Sequence, residues 1–336
     1  MPTTQRLIPF WLWLLSALAA CAPGALGELD PCDRCGAGEI CLDGACVPEA
    51  DLCGGAVCAA PGVCVEGACR QAVTVATFNL YDLELPGAHA NVARYIAARD
   101  IDLILFQEVQ PADAADLAQS LTAEGVVMHY AFSARGGYGG DIGDDYLAVF
   151  SRFPLTAHET ILGGTYPDPV TGEWFDFRYM RPVHRVSLTV HGQDLTVYNL
   201  HLKAQVPFPE CDGCLERRRA QARALETYIL EHDAPETGMV LVAGDANSAL
   251  AADFEPGNTL DLLTLRSDGP AGAANDLTPV NYTYRRESTH LDFDSLLDHI
   301  ILSPALMRHY LPDSVEVLAP EGRPSDHKSV LLRLVF

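Results

Sequence analysis

Four positions in this sequence place carboxylate, amide or imidazole groups directly after apolar segments that we predict as strands. One is Gly244-Asp245-Ala246-Asn247, and another is Ser325-Asp326-His327-Lys328 near the C-terminus. Asn79 and Glu108 end two earlier apolar segments. Because strand ends hold side chains rigidly, an α/β scaffold can gather such groups into one site. The combination indicates metal-assisted hydrolysis of a phosphodiester.

Glu108 is the first candidate for a metal ligand. A carboxylate that follows a buried strand is a hard oxygen ligand suited to Mg²⁺, with Mn²⁺ or Ca²⁺ as alternatives. The competing interpretation is a helix-capping acid, because Pro111 follows three residues later. Asn79 taken alone is equally typical of a turn.

Asp245 and Asn247 are candidates for catalytic residues that orient water and substrate. Their two-residue spacing directs both side chains to one side, so a carboxylate and an amide can position an attacking water and a phosphoryl oxygen. An Asx turn after Gly244 is the structural alternative.

His327 is the best candidate for imidazole chemistry, because its neutral form can accept a proton near pH 7. Asp298 would accept a hydrogen bond from the other ring nitrogen and stabilise the imidazolium. Asp326 is then a further metal or phosphate ligand. His201 supplies a second imidazole at the end of the strand predicted at 195–200. Each of these residues in isolation is more often a surface charge.

Positive charge near the site is limited. The formal net charge is −23, from 22 basic and 45 acidic residues, which argues against a general polyanion-binding surface. Arg181 precedes a predicted strand and has the planar fork for bidentate phosphate contact. Lys203 follows His201 by two residues, and of Arg217, Arg218 and Arg219 only one or two can face a ligand because they span about 200° of a helix.

The first twenty residues have the pattern of an export signal. Arg6 precedes an apolar run at 7–20 that is too short to span a bilayer comfortably. The run ends in Leu18-Ala19-Ala20-Cys21, which resembles the bacterial lipobox, so we predict a signal peptide at 1–20, a lipidated Cys21 and a linker at 21–29. Ordinary secretion with cleavage near Ala20 is the alternative. Ala22 in place of Asp favours anchoring in the outer membrane of the cell envelope.

The 336-residue chain has eleven cysteines, which leaves an even number once Cys21 is lipidated. Eight lie in a repeat at 30–70, in which Leu42-Asp43-Gly44-Ala45-Cys46 is answered by Val65-Glu66-Gly67-Ala68-Cys69. Such short units lack a core, so an exported chain would hold them with disulfides, although four thiolates per unit also suit zinc. The module would be a spacer or a small binding unit. Cys211 and Cys214 are the remaining pair.

From residue 73 the sequence alternates strands and helices, and its 49% hydrophobic composition supplies a large core. Apolar segments with interspersed helices predict packed sheets covered by helices. The predicted strands are 73–79, 102–106, 146–151, 183–190, 195–200, 239–243, 297–302 and 329–336, and the helices are 89–98, 112–123 and 215–231. Segments 136–145 and 163–179 are predicted as loops over the site.

Six motifs in order make this region, 73–336, resemble the endonuclease/exonuclease/phosphatase superfamily. They are Phe78-Asn79, Phe106-Gln107-Glu108-Val109, Asn199-Leu200-His201-Leu202, Gly244-Asp245-Ala246-Asn247, Leu297-Asp298-His299-Ile300 and Ser325-Asp326-His327. The resemblance implies a four-layer α/β sandwich (DNase I-like) and direct attack of water on a phosphate ester with one divalent ion held chiefly by Glu108. It also implies that Asn79 and Arg181 bind substrate.

The histidine at position 201 makes the chain similar to the DNase I and sphingomyelinase branches, and Asp144 occupies the place of a carboxylate partner for it. The substrate expected first is nucleic acid, with the enzyme acting outside the cytoplasm. A phospholipid, sphingomyelin or inositol-phosphate substrate is the alternative, and a catalytically inactive adhesion protein is a third. The sequence carries no signal for an oligomeric state.

Overall fold

A computed structural model describes residues 39–42, 45–48, 52–53, 56–58, 62–83, 85–134, 146–161, 164–176, 181–204, 213–249, 251–268 and 272–336. The predicted signal peptide, Cys21, the loop at 136–145 with Asp144, and Cys211 lie outside these ranges. Two compact units divide after Val57, one containing Met1–Val57 and the other Cys58–Phe336.

The second unit contains most of the regular structure. Its longer helices are α1 (Ala88–Ala98), α2 (Pro111–Ala123) and α3 (Cys214–His232), with short helices α4 (Thr259–Leu263), α5 (Val280–Tyr284) and α6 (Pro304–Met307). The first unit has strands β1 (Glu39–Leu42), β2 (Ala45–Pro48), β3 (Leu52–Cys53) and β4 (Ala56–Val57). The strands of the second unit are β5 (Gly62–Val65), β6 (Ala68–Asn79), β7 (Leu103–Val109), β8 (His129–Phe132), β9 (Tyr146–Ser151), β10 (Leu155–Ile161), β11 (Thr165–Pro167), β12 (Trp174–Asp176), β13 (Val183–Val190), β14 (Gln193–His201), β15 (Met239–Asp245), β16 (Thr278–Pro279), β17 (Asp298–Leu302), β18 (Glu316–Leu318) and β19 (Ser329–Val335).

Two mixed sheets form the centre of the second unit. One has the order β18-β19-β6-β7-β9-β8, with β5 also paired to β6, and the other has the order β10-β13-β14-β15-β17-β16. The pairs β6–β7 and β14–β15 are parallel, and the remaining pairs are antiparallel. Each parallel pair therefore ends at one edge of its sheet, where polar side chains can collect.

Three apolar clusters define four layers. The central cluster joins Val75 and Leu105 of the first sheet to Val197 and Leu241 of the second, so the sheets pack face to face. The outer face of the first sheet packs against α1 and α2, and that of the second packs against α3 and α4. The predicted four-layer α/β sandwich is confirmed.

The predicted strands and helices lie at the observed elements, but strands β8, β10, β16 and β18 and helices α4, α5 and α6 were not predicted. Two further differences concern predicted segments. Segment 163–179, predicted as a loop, contains the antiparallel hairpin of β11 and β12. Strand β6 is longer than predicted and begins at Ala68, because its first residues pair with β5 and its later ones with β7 and β19. The cysteine repeat thus continues directly into a central strand of the sandwich.

Disulfides occur where the repeat meets the sandwich. Cys58 and Cys69 are bonded to each other. Cys64, on β5, and Cys214, at the start of α3, each take part in a disulfide as well. In the first unit β1 pairs with β2 and β3 pairs with β4, which gives two short hairpins. Within the part of the chain that the structure describes, no helix is long and apolar enough to cross a membrane.

His184 on β13 makes the fold sensitive to acid. Its side chain is fully buried, and neither ring nitrogen has a hydrogen-bond partner among the described residues. Burial, followed by the charge of His158, lowers the pKa of His184 from 6.5 to about 3. Below pH 6.5 this histidine is protonated in the unfolded chain but stays neutral in the folded chain until the pH approaches 3. The free energy of unfolding therefore decreases as the pH falls from 6.5 towards 3.

We expect the free energy of unfolding to lose roughly 2 kcal/mol between pH 7 and pH 5 through His184. His184→Leu should remove this part of the loss, and denaturant titrations at both pH values measure it. The exposed His129, changed to Leu, is the control. Equal losses in the wild type and His184→Leu would refute this origin of the acid sensitivity.

Candidate active site

Three predicted site residues form one row across the second sheet. His201 on β14 is the register partner of Asp245 on β15, and Asp245 is in turn the partner of Asp298 on β17. Residues opposite one another on neighbouring strands point to the same face, so two carboxylates and an imidazole converge. All three are at least 98% buried, with relative exposures of 2%, 2% and 0%.

Gly244 permits the close pairing behind this row. Its φ is +142°, and a Cβ on this residue would lie 2.0 Å from the carbonyl oxygen of Leu200 on the neighbouring strand. Any side chain here would push β15 away from β14. The absence of a side chain at Gly244 therefore lets β14 and β15 pair closely enough to bring His201 beside Asp245.

The first sheet contributes Asn79 and Glu108 from the facing side. The β7–β9 register shifts between Phe106 and Val109, and Glu108 has a φ of 50°. This bulge turns the Glu108 side chain, and such departures from the regular ladder are common beside functional sites. Asn79 Nδ2 lies 3.2 Å from Glu108 Oε1 and 3.3 Å from Asp245 Oδ2, so one amide joins carboxylates of both sheets.

Gln107 and Asn199 form a buried polar contact beneath the site, and the sequence analysis gave neither a role. Gln107 Nε2 donates to Asn199 Oδ1 at 2.7 Å across the two sheets. Asn199 Nδ2 donates to the carbonyl oxygens of Phe106 and Ala148 at 2.9 and 3.0 Å. Satisfied buried networks fix geometry, so this contact sets the spacing of the sheets below Glu108 and His201. Both residues lie inside motifs that support the family resemblance, Phe106-Gln107-Glu108-Val109 and Asn199-Leu200-His201-Leu202, so the sequence did mark them.

His327 and Asp298 form a buried ion pair. His327 Nδ1 donates to Asp298 Oδ2 at 2.8 Å, and His327 Nε2 lies 3.8 Å from Asp245 Oδ2. Burial alone would lower the pKa of His327, but the charge and hydrogen bond of Asp298 outweigh it and raise the pKa to about 10. His327 is therefore an imidazolium at neutral pH, which differs from the neutral form considered from sequence.

Asp245 is the carboxylate best suited to accept a proton. Burial, followed by the charge of Asp298, raises its pKa to about 6, which brings it close to neutral pH. Its Oδ1 accepts a hydrogen bond from the backbone N–H of Asn247 at 2.8 Å. Asn247 has a φ of 49°, a conformation that asparagine tolerates better than most residues, and its Nδ2 donates to the Leu202 carbonyl at 3.1 Å.

His201 is a neutral acceptor in this arrangement. Its Nε2 is in close contact with the Arg181 guanidinium and lies 3.5 Å from Glu108 Oε1 and 3.4 Å from Asp245 Oδ2. Because arginine only donates, the imidazole proton belongs on Nδ1. Burial, followed by the charge of Arg181, lowers the pKa of His201 well below 6.5. The structure thus joins His201 to the predicted substrate-binding residue Arg181.

Asp326 lies beside a histidine that the sequence analysis missed. His290 Nδ1 accepts from the backbone N–H groups of Asp292 and Phe293 at 3.1 and 3.2 Å, which places its proton on Nε2. That nitrogen is 3.5 Å from Asp326 Oδ2, and the ring meets His327 edge-on at 4.8 Å. No periodic pattern surrounds His290 in sequence, so only the fold identifies it. Ser325 fixes the same segment by donating to the Asn79 carbonyl at 2.7 Å.

The three consecutive arginines have different environments. Arg219 makes two hydrogen bonds to the buried Asp168 carboxylate, at 2.6 and 2.7 Å. Arg218 is 4% exposed and donates to the Lys203 carbonyl at 3.1 Å. Arg217 is exposed. Arg219 is therefore committed to Asp168. The expectation that one or two of the three face a ligand then applies to Arg217 and to Arg218, which is bound to a backbone carbonyl.

The sequence profile of the endonuclease/exonuclease/phosphatase family matches residues 76–327. The chain belongs to this family. Members are hydrolases that act on phosphate esters, and they include nucleases, phosphodiesterases and phosphatases. No curated protein sequence matches the chain significantly.

Solved structures of this family share the fold. The endonuclease/exonuclease/phosphatase from Bacteroides vulgatus is 19% identical with a TM-score of 0.56, covering 79% of this chain and 98% of that chain. The mannosyl-6-phosphatase from Bacteroides thetaiotaomicron is 19% identical with a TM-score of 0.52, covering 79% and 100%. Humanized D. rerio TDP2 is 18% identical with a TM-score of 0.51, covering 78% and 98%.

The family typically uses a divalent metal, and the residues of this chain fit one. Carboxylates from both sheets converge on the Asn79 amide, and Asp298 Oδ1 is buried without a hydrogen-bond partner among the described residues. Glu108 is 19% exposed, which leaves its oxygens accessible. Oxygen donors of this kind suit Mg²⁺, Mn²⁺ or Ca²⁺. Two groups of three side chains, Asp245–Asp298–His327 and His290–Asp326–His327, also have their donor atoms within 4.8 Å of one another.

Proposed function

We propose that this chain is a divalent-metal-dependent phosphodiesterase that hydrolyses nucleic acid by direct attack of water. One observation carries the proposal: the row His201, Asp245 and Asp298 faces Glu108 and Asn79 across the two sheets. The His327 imidazolium lies on Asp298 of this row, so a base, a buried imidazolium and an accessible carboxylate share one site, which is the set that a phosphodiester needs.

Asp245 accepts the proton of the attacking water in this proposal. Its pKa of about 6 leaves it ionised at pH 7 while keeping it basic enough to take a proton. The amide of Asn79, 3.3 Å from Asp245 Oδ2, orients the carboxylate. Asn247 holds the other carboxylate oxygen through its backbone N–H, so the lone pairs left free on Asp245 are directed to the site.

His327 donates to a phosphoryl oxygen as the charge on phosphorus-bound oxygens increases. Asp298 holds its Nδ1–H, so Nε2–H is the group available to substrate. Arg181 adds a second cationic donor from the His201 side. Glu108 is the principal residue to hold a divalent ion, whose charge would polarise a phosphoryl oxygen and stabilise the leaving oxyanion. Asp326 and Asn79 are its proposed supports.

A covalent intermediate is not required. The Ser325 hydroxyl donates to the Asn79 carbonyl at 2.7 Å, accepts from the His327 backbone N–H at 3.0 Å and lies 3.4 Å from Asp326 Oδ1, so its hydrogen-bonding positions are already used within the fold. Water is then the nucleophile, and the phosphodiester is cleaved in a single in-line displacement.

Nucleic acid is the favoured substrate because Arg181, in contact with the neutral His201, gives the site local positive charge. A phospholipid, sphingomyelin or inositol phosphate remains the second candidate, favoured by the predicted lipid anchor. Plasmid DNA, RNA, sphingomyelin and inositol phosphates, each supplied with Mg²⁺, separate the two. We expect nucleic acid to be degraded, and hydrolysis of sphingomyelin or inositol phosphates alone would overturn the choice.

We also propose that the chain is a lipoprotein anchored in the outer membrane through Cys21. Cys21→Ser should release the protein into the aqueous phase of a detergent partition, because the cysteine that carries the proposed lipid is removed. Specific activity should stay at the wild-type level, since the lipid sets location and not chemistry. Retention of the Cys21→Ser protein in the detergent phase would show that another element is the anchor.

A further inference from the structure

An exposed phenylalanine lies close to the proposed imidazolium donor. Phe293 is 54% exposed, and its ring packs against His290 with the two centroids 4.4 Å apart. The His290 ring in turn meets the His327 ring at a centroid distance of 4.8 Å. A single exposed apolar side chain is ordinary on a protein surface, but these two contacts place Phe293 beside the candidate active site.

Hydrogen bonds fix the backbone that carries this ring. Residues 288–295 form the Phe293 loop. The N–H of Phe293 donates to His290 Nδ1 at 3.2 Å, and its carbonyl oxygen accepts from the Ser295 N–H at 2.8 Å. Ser288 Oγ lies 2.9 Å from the same carbonyl oxygen. Both polar backbone groups of Phe293 are therefore bonded before a ligand arrives, so binding at this ring loses less conformational entropy.

The Phe293 loop is also joined to the segments that carry the candidate catalytic residues. The Leu291 N–H donates to the Asp326 carbonyl at 2.8 Å. Thr289 Oγ accepts from the N–H groups of Leu297 and Asp298 at 2.8 and 3.0 Å. These contacts set the position of the loop relative to the carboxylates and the imidazolium. The exposed ring is thus held at a fixed place beside the site.

The charges around Phe293 restrict what can contact its ring. Asp292 and Asp294 flank it in the sequence, and both are exposed. The two carboxylates repel a phosphate group or an anionic bilayer surface that approaches the ring. An uncharged planar group is not repelled, and it can stack on the phenyl face. The ring is therefore suited to a part of the substrate other than its phosphates.

A nucleic acid base fits this position better than a cationic head group does. A quaternary ammonium group is usually held in a cage of several aromatic rings. Among the described residues, the ring neighbour of Phe293 is His290 alone. One aromatic face is sufficient for a base, because stacking needs a single platform.

We infer that Phe293 stacks on the base of a nucleotide that is bonded to the hydrolysed phosphate. This inference rests on the proposed function, and it specifies the substrate as a phosphodiester that carries a base next to the cleaved bond. Phe293 is then a binding residue that selects nucleotides, while hydrolysis itself belongs to the carboxylates and His327. A phosphodiester without a base would bind without this contact.

Binding in excess EDTA tests the stacking without catalysis. The probes are a dye-labelled tetrathymidylate and a dye-labelled tetramer of abasic nucleotides with the same phosphates, so the ratio of their Kd values measures base recognition alone. We expect the wild type to prefer tetrathymidylate and Phe293→Ala to reduce this preference about tenfold, because stacking contributes on this scale per base. Phe293→Trp should retain the preference. Phe293→Leu should lose it, since leucine is apolar but cannot stack.

The control for loss of an exposed aromatic side chain is Tyr130→Ala. Tyr130 is 45% exposed and lies on β8, the edge strand of the other sheet. This substitution should leave the preference for tetrathymidylate at its wild-type value. An equal loss of preference in Tyr130→Ala and Phe293→Ala would contradict a specific role for Phe293.

Kinetics with Mg²⁺ then locate the base. Three dinucleotides each contain one phosphodiester: one has thymine on both sides, one lacks the 5′ base and one lacks the 3′ base. Wild-type protein should favour the complete dinucleotide in kcat/KM over one of the abasic ones, mainly through KM. Phe293→Ala should remove this advantage and leave the rate on that abasic dinucleotide unchanged. Equal losses on all three would show that Phe293 only supports His290, and would overturn the inference.

The remaining outcomes separate the inference from the proposed function. Wild-type protein that hydrolyses nucleic acid while Phe293→Ala keeps the preference for tetrathymidylate would overturn the inference alone. Wild-type protein that hydrolyses no phosphodiester would overturn the proposed function, and a lost preference in Phe293→Ala would then still support stacking on a base. Weaker binding of Phe293→Ala to sphingomyelin vesicles, with unchanged oligonucleotide binding, would assign the ring to a choline head group and overturn the inference.

Discussion

Glu108→Gln is expected to reduce hydrolysis by about 100-fold or more in the presence of Mg²⁺. The change preserves size and hydrogen bonding to Asn79, but it removes the charge that would hold the cation. Substitution of groups that only support ligands often costs 10 to 100-fold, so loss of the principal ligand should cost at least as much. Steady-state rates over a range of Mg²⁺ concentrations measure the effect.

The control for Glu108→Gln is Glu124→Gln, which removes the same charge from an exposed position at the end of α2. Titration calorimetry with Mg²⁺ adds a measurement that does not depend on turnover. Wild-type rates and wild-type Mg²⁺ affinity in Glu108→Gln would place the cation elsewhere, and the groups Asp245–Asp298–His327 and His290–Asp326–His327 would become the candidates.

His327→Ala and Asp298→Ala are each expected to reduce kcat by about 10² to 10⁴-fold, the usual range for a positioned proton donor. The two side chains share the 2.8 Å hydrogen bond that keeps His327 protonated, so removal of either disables one unit. The double variant should therefore be no slower than the slower single variant. Losses that multiply would show that the two residues act separately.

His201 provides the contrast to this pair. It contacts Arg181 and the carboxylates of Glu108 and Asp245, and it shares no hydrogen bond with Asp298. His201→Ala should therefore multiply the loss in a His327→Ala background. A double variant equal to His327→Ala alone would place both imidazoles in one unit and contradict the two-imidazole account.

The sequence was informative about strand ends, because apolar periodicity and polar motifs coincide there. Asn79, His201 and Asp245 are each the last residue of an observed strand, and Asp298 is the first residue of another. Sequence spacing does not give register, however. The alignment of His201, Asp245 and Asp298 in one row depends on which strands are neighbours, and that is decided by packing of the whole sheet.

Ion pairs between residues that are far apart in sequence explain most of what the sequence could not predict. The sequence analysis considered His327 as a proton acceptor from its ordinary pKa, whereas the buried Asp298 at 2.8 Å raises the pKa of His327 to about 10, and in the proposed mechanism Asp245 accepts the proton. Arg219 belongs to a triplet that suggested ligand binding, yet its charge is neutralised by Asp168, a residue of the β11–β12 hairpin. Neither partner is near in sequence.

The central claim is that the site formed by Glu108, Asp245 and His327 hydrolyses phosphodiesters with a divalent cation. The most direct test is the rate of plasmid DNA cleavage by wild-type protein in excess EDTA and again after Mg²⁺ is added beyond the chelator. We predict no cleavage with EDTA and recovery with Mg²⁺, because Glu108 and its neighbours provide oxygen ligands and no substitute for the cation's charge. Undiminished cleavage in EDTA would contradict the account.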